Sequence, residues 1–152
     1  MKLYRIAREK YADDLSGRGG LLTTARWHNH LPVLYTSTQS STCILEKLVH
    51  LETGEIHHDL QMIEMTIPDS VTNLFVDPQD LPQNWNTYPG PRALAKIGNA
   101  WLTAKSSLLL YVPSVVDPFS QNVLINPLHE EARELKIESI TPFRFDERLY
   151  KL

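Results

Sequence analysis

The chain has 152 residues and a mass of 17.4 kDa, with 42% apolar and 22% charged residues; this supports one packed domain over residues 1–152 and excludes a disordered chain. Fifteen basic against eighteen acidic residues give a net charge of -3, which argues against direct nucleic-acid binding through bulk electrostatics. A lone Cys43 excludes an internal disulfide, and the lack of a secretory leader or of an apolar run near the ~20 residues that span a bilayer predicts a soluble, cytoplasmic protein with no membrane contact.

In chain order, Leu3 to Ala7 read as a strand, followed by the turn-rich stretch Ser16-Gly17-Arg18-Gly19-Gly20. Val33 to Thr36 is a second strand. Ser37 or Thr38 then caps a helix to about Glu52, with Ile44, Leu45, Leu48 and Val49 as its apolar side and Gly54 as its stop. Gln61 to Ile67 alternates as a strand and ends at Pro68, and Asn73 to Val76 is a further strand. Residues 78–91 hold four of the ten prolines and read as a long irregular loop. Arg92 to Ala104 is the second helix, with Leu94, Ile97 and Trp101 on one side despite Gly98. Leu108 to Val112 and Asn122 to Ile125 are strands, Asn126-Pro127 opens a short helix through Glu134, and Leu135 to Ile140 alternates again. Strands outnumber helices and follow one another directly, which is an α+β pattern. Gly17-Arg18-Gly19-Gly20 does not lead from strand to helix as a dinucleotide fingerprint must.

Few residues suggest chemistry on spacing alone. His28, His30, His57 and His58 match no metal-ligand spacing and read as exposed loop histidines, so no metal is expected. Cys43 falls on the apolar side of the first helix, where a buried thiol is inert. Asp13-Asp14 and Glu130-Glu131 are sequence neighbours that point apart. A more coherent set is Arg5 inside the first strand, Arg26 in the loop after the glycines, Tyr35 in the second strand and Glu46 within an apolar helical run. Together they offer two guanidiniums for a pyrophosphate, an aromatic face for a planar heterocycle and a carboxylate for a sugar hydroxyl.

The order of LYRIAR, YADDLSG, ARW, VLYT, ILEKLVHL, IGNAWL, LLLYVPS, LINP and PFRFDERL along nearly the whole chain resembles the RES-domain family of bacterial toxins. One departure is TARWH, where the family usually reads GGRWN. The resemblance implies a single α+β domain with a split β-sheet of the diphtheria-toxin ADP-ribosyltransferase type. It implies a toxin of a toxin-antitoxin pair that depletes NAD by cleaving the nicotinamide–ribose bond, by hydrolysis or phosphorolysis, with NAD as substrate and no further cofactor. Carried over by motif, Glu46 and Ser114 are the catalytic residues and Arg5, Arg26, Tyr35 and Asn126 bind NAD; Ser106 and Ser107 compete with Ser114 but lack its VPS context. A cognate Xre-like antitoxin that covers the active site in a hetero-oligomer is the implied partner. Transfer of ADP-ribose to a protein, and an inactive partner-binding domain, are the alternatives.

Overall fold

In the computed structural model, which describes residues 1–51 and 57–150, alternating side chains along the first strand anchor the sheet. That strand is β1 (Lys2–Arg8), and a 3-10 turn at Glu9–Tyr11 leads from it to the short helix α1 (Gly19–Leu22). A two-stranded pair, β2 (Thr24–Ala25) and β3 (His28–Asn29), precedes β4 (Leu34–Ser37). Helix α2 (Ser40–Val49), β5 (Leu60–Thr66) and β6 (Asn73–Phe75) follow. After the loop come α3 (Arg92–Ala104), β7 (Leu109–Pro113), β8 (Gln121–Ile125) and β9 (Lys136–Pro142).

Seven strands form one mixed sheet in the order β6-β7-β8-β4-β1-β5-β9, with only β6 and β7 parallel. The fold is α+β, and the sheet is split at its centre. β1 pairs with β5 over seven residues and β4 with β8 over four, whereas β1 and β4 meet only at Tyr4 and Ser37. Arg5 to Arg8 and Leu34 to Thr36 share no paired register.

Alternation sorts the core into two faces. Leu3, Ile63, Met65, Leu109, Val123 and Ile125 pack on one side of the sheet. On the other, α3 brings Leu94, Trp101 and Leu102 onto Leu110, Val112, Leu124 and Trp27, while α2 brings Cys43 onto Ile6, Leu60 and Phe145. Ser37 pairs with both Tyr4 and Asn122, so the two helices share this face and stand on either side of the split.

Several local expectations are corrected. Helix α2 starts at Ser40 after Gln39, not at a Ser37 or Thr38 cap, because Ser37 is the last residue of β4 and its hydroxyl bonds Asn122. Its buried side is Cys43 with Ile44 and Leu48, and Leu45 and Val49 face solvent. The expected stop at Gly54 lies outside the described residues. Asn126-Pro127 opens no helix: a 3-10 turn at Glu130–Glu134 is capped by His129, whose Nδ1 accepts from the Glu131 N–H. Gly98 lies inside α3 because a Cβ there would overlap the Trp27 carbonyl, so the glycine lets the helix reach the β2–β3 turn.

Candidate active site

Glu46 projects from the second turn of α2, and donors from two other segments converge on one of its oxygens. Ser114, the residue after β7, donates its hydroxyl to Oε1 at 2.8 Å, and Asn122 at the start of β8 donates its Nδ2 to the same atom. Each donor is itself held. The Asp117 N–H donates to Ser114 Oγ at 3.0 Å, and Thr42 donates to Asp117 Oδ2 at 2.7 Å, one turn earlier on α2 than Glu46. Ser37 donates to Asn122 Oδ1 at 2.7 Å, which fixes the amide with its NH2 toward the carboxylate. Donors from Ser120 and Thr42 hold the Asp117 carboxyl below the usual carboxylate range.

The other Glu46 oxygen receives no side-chain hydrogen bond from the described residues. Arg26, in the turn between β2 and β3, feels this carboxylate: burial lowers its guanidinium and the Glu46 charge counters this. Arg26 also carries the long loop: Nη1 donates to the Trp85 carbonyl at 2.6 Å and Nη2 to the Thr87 carbonyl at 2.9 Å. Gly90 lies against the guanidinium, where a Cβ would come within 2.6 Å of Nη1. Two of the five N–H donors are thereby used and three are left.

Tyr35 on β4 sits on the same sheet face, its ring against the cluster of Trp27, Leu94 and Leu124. Burial keeps its phenol protonated, raising it well above the ordinary value against a backbone hydrogen bond from Trp27 and the Arg26 charge. Arg5 is the first β1 residue past the Tyr4–Ser37 pair. It donates Nη1 to the Asp14 carbonyl at 2.9 Å, and its charge reaches Lys47 on α2. Glu46, Ser114, Arg26 and Tyr35 are thereby brought together from four separate stretches of sequence, whereas Arg5, opposite Ile63 of β5, is tied to the Asp14 carbonyl beside them.

The RES-domain family model matches residues 2–146. The chain belongs to the RES-domain family. Relatives of similar length include a Toxin Res of Pseudomonas putida, 37% identical with 99% of this chain and 100% of that protein aligned. A Toxin Res of Yersinia enterocolitica is 35% identical over 98% and 99% of the two chains. A Prs ADP-ribosylating toxin of Sphingobium sp. is 32% identical over 95% of this chain and 92% of that one. The Mycobacterium tuberculosis MbcT-MbcA toxin-antitoxin complex contains a chain of the same fold, with a TM-score of 0.74 at 16% identity, over 93% of this chain and 83% of that one.

Within this RES domain, the remaining motif residues divide by location. Ser107 accepts from Trp101 Nε1 and donates to the Leu109 carbonyl, Ser106 is exposed, and Ser114 is the serine that reaches Glu46. Asn126 is not brought to the cluster. It is 1% exposed, donates to the Leu102 carbonyl and accepts from the Leu128 N–H, so its amide is used in closing the turn after β8. Four residues of strand, about 13 Å, separate it from Asn122. Asn122, Ser37, Thr42 and Asp117 were missed by the motif reading. Asn122 was within reach of it, because alternation from the apolar Leu124 places residue 122 on the helix-covered face.

His28 is a further correction. Expected in an exposed loop, it is 2% exposed and bonded through both ring nitrogens, while His30 and His58 are exposed. Cys43 is buried, and burial pushes its thiol up to about 12, which leaves it protonated and inert. Among the described residues no three His, Cys, Asp or Glu side chains converge as a metal set, and no helix is long and apolar enough to cross a membrane. What the cluster can do chemically is hold one carboxylate in fixed orientation beside cationic and aromatic groups.

Proposed function

We propose that this chain is the toxin of a bacterial toxin-antitoxin pair and that it acts in the cytoplasm by breaking the bond between nicotinamide and ribose in NAD. The observation that carries the reading is the Glu46 carboxylate, fixed through Oε1 by Ser114 and Asn122 at the split between β1 and β4. Nicotinamide in NAD is a cationic substituent. The C1–N bond breaks with its electron pair going to the ring, so the leaving group departs neutral and needs no general acid. The ribose carbon becomes oxocarbenium-like, and a carboxylate held nearby stabilises that charge. Glu46 supplies it, with Ser114 and Asn122 setting its orientation. Asn122 thus takes the polar role expected of Asn126.

Arg5 and the remaining donors of Arg26 hold the pyrophosphate, and Tyr35 offers its ring to the nicotinamide. The acceptor then forms its bond to C1 through oxygen: water gives ADP-ribose and phosphate gives the phosphorylated sugar, with a proton released in either case. The split sheet and the Sphingobium relative's description support an ADP-ribosyltransferase type of fold. The relatives described as toxins, and the fold shared with a member of the MbcT-MbcA complex, support a cognate antitoxin, Xre-like, that covers the site.

A second reading, transfer of ADP-ribose to a protein, draws on the Sphingobium relative, described as an ADP-ribosylating toxin. Purified chain incubated with labelled NAD, with and without phosphate and with a cell extract, separates these readings. Free nicotinamide with a small sugar nucleotide product is expected. Label on a protein band supports transfer, and a folded chain that releases no nicotinamide overturns both.

A further inference from the structure

His28, the first residue of β3, has surroundings that give it a defined protonation state. Its Nε2 lies 3.2 Å from the Gly20 carbonyl, which can only accept, so Nε2 carries the hydrogen. In the neutral ring Nδ1 is then an acceptor. The Tyr35 hydroxyl lies 2.9 Å from it and donates, with the two rings tilted at 55° and their centroids 5.5 Å apart. Both ring nitrogens are used, and the imidazole is 2% exposed. No hydrogen bond joins it to Glu46, Ser114 or Asn122.

We propose that His28 is a positioning residue: its neutral imidazole accepts a hydrogen bond from the Tyr35 hydroxyl and so fixes the ring that faces the nicotinamide, and protonation of His28 reverses that bond, leaves the hydroxyl hydrogen without its acceptor and weakens NAD binding. The inference rests on the reading of the cleft as an NAD site. In a protonated imidazole Nδ1 becomes a donor, so the bond reverses: the Tyr35 oxygen must accept from it, and the hydroxyl hydrogen loses the one acceptor it has among the described residues.

The groups that face the pair give the sign of the pH effect. Arg26 faces Tyr35, and His30, the residue after β3, is the titratable group that acts on His28 and disfavours a further positive charge there. From α1 only the Gly20 carbonyl reaches the ring, and on α3 the cations Arg92 and Lys96 are exposed. Burial is the largest influence and lowers His28 below the ordinary imidazole range, with the Gly20 bond opposing. Hence His28 is neutral at neutral pH and the Tyr35 bond is intact there. As pH falls below about 6.5 the unfolded chain binds this proton first, so folding stability drops until the lower, folded value is passed.

The test is the pH dependence of kcat and KM for NAD cleavage in the wild type, His28→Asn and Tyr35→Phe, with His28 ring nitrogens followed by NMR. In the wild type KM should rise about three- to tenfold on the acid side, the worth of one neutral hydrogen bond, with kcat little changed. Asparagine presents an acceptor near Nδ1 and does not titrate, so His28→Asn should keep a low KM and lose the acid rise. Tyr35→Phe should also lose it, and should raise the His28 pKa. An acid rise in KM that persists in His28→Asn overturns the proposal. If that variant fails to fold, persistence in Tyr35→Phe does the same. If the wild type leaves NAD intact, the functional reading fails separately. The NMR then decides the pair alone: a His28 pKa unmoved by Tyr35→Phe rejects it.

Discussion

At Glu46 a single carboxylate oxygen collects a hydroxyl and an amide, and each of these is oriented by a further hydroxyl or backbone N–H. A glutamine at this position can still accept both bonds through its carbonyl. Glu46→Gln should therefore keep the fold and most NAD affinity while losing about a hundred- to a thousandfold in kcat, the usual scale for removing one electrostatic stabiliser. Nicotinamide release measured beside calorimetric NAD binding checks this, and wild-type turnover in the variant contradicts it. The two asparagines of the β8 segment should separate in the same assays. Asn122→Ala removes a donor from Glu46 and is expected to lower kcat about ten- to a hundredfold, at a smaller stability cost of about 1 kcal/mol from the Ser37 hydroxyl left without its acceptor. Asn126→Ala strands the buried Leu102 carbonyl and frees the Leu128 N–H of the turn, and should cost about 2–3 kcal/mol of stability while kcat of the folded fraction holds. Chemical denaturation and kcat on both variants read the contrast; the reverse pattern would return the site role to Asn126.

Among the elements, α3, β1 and β5 were legible because each is long enough for its period to show and each has one clearly buried face. The buried side of α2 was half legible. Four apolar residues were grouped, but the packing of β1 and β5 reaches only Ile44 and Leu48 among them. The strands β2 and β3 have two residues each, too few for any alternation, and for that reason His28 read as a loop residue. Gly98 looked like a flaw in a helix and is a contact point. Gly98→Ala gains helix propensity of up to about 1 kcal/mol, yet its Cβ would meet the Trp27 carbonyl and force α3 off the β2–β3 turn. A net loss of about 2–3 kcal/mol is expected in denaturant unfolding, the range for overpacking. Arg26 adjoins Trp27, so NAD affinity should weaken too. A variant as stable as wild type would mean that helix and turn separate at little cost.

Across the whole molecule, the α+β class was legible from the sequence of elements, but the position of the split was not. It depends on β1 and β4 pairing only at Tyr4 and Ser37, and a register between strands some 30 residues apart leaves no local mark. The residues that meet there come from the β2–β3 turn, β4, α2, the end of β7 and the start of β8, so periodicity could not group them; motif order did so for Arg26, Tyr35, Glu46 and Ser114, and set Arg5 of β1 beside them. The same motif order drew attention to Asn126 in LINP and away from Asn122. The central claim is that this arrangement consumes NAD, and the most direct measurement is the cellular NAD level after expression of the chain without an antitoxin, beside Glu46→Gln expressed to the same level. NAD should collapse before growth stops with the wild type and hold steady with the glutamine variant. Growth arrest with NAD unchanged, or an equal collapse in both, would contradict the account.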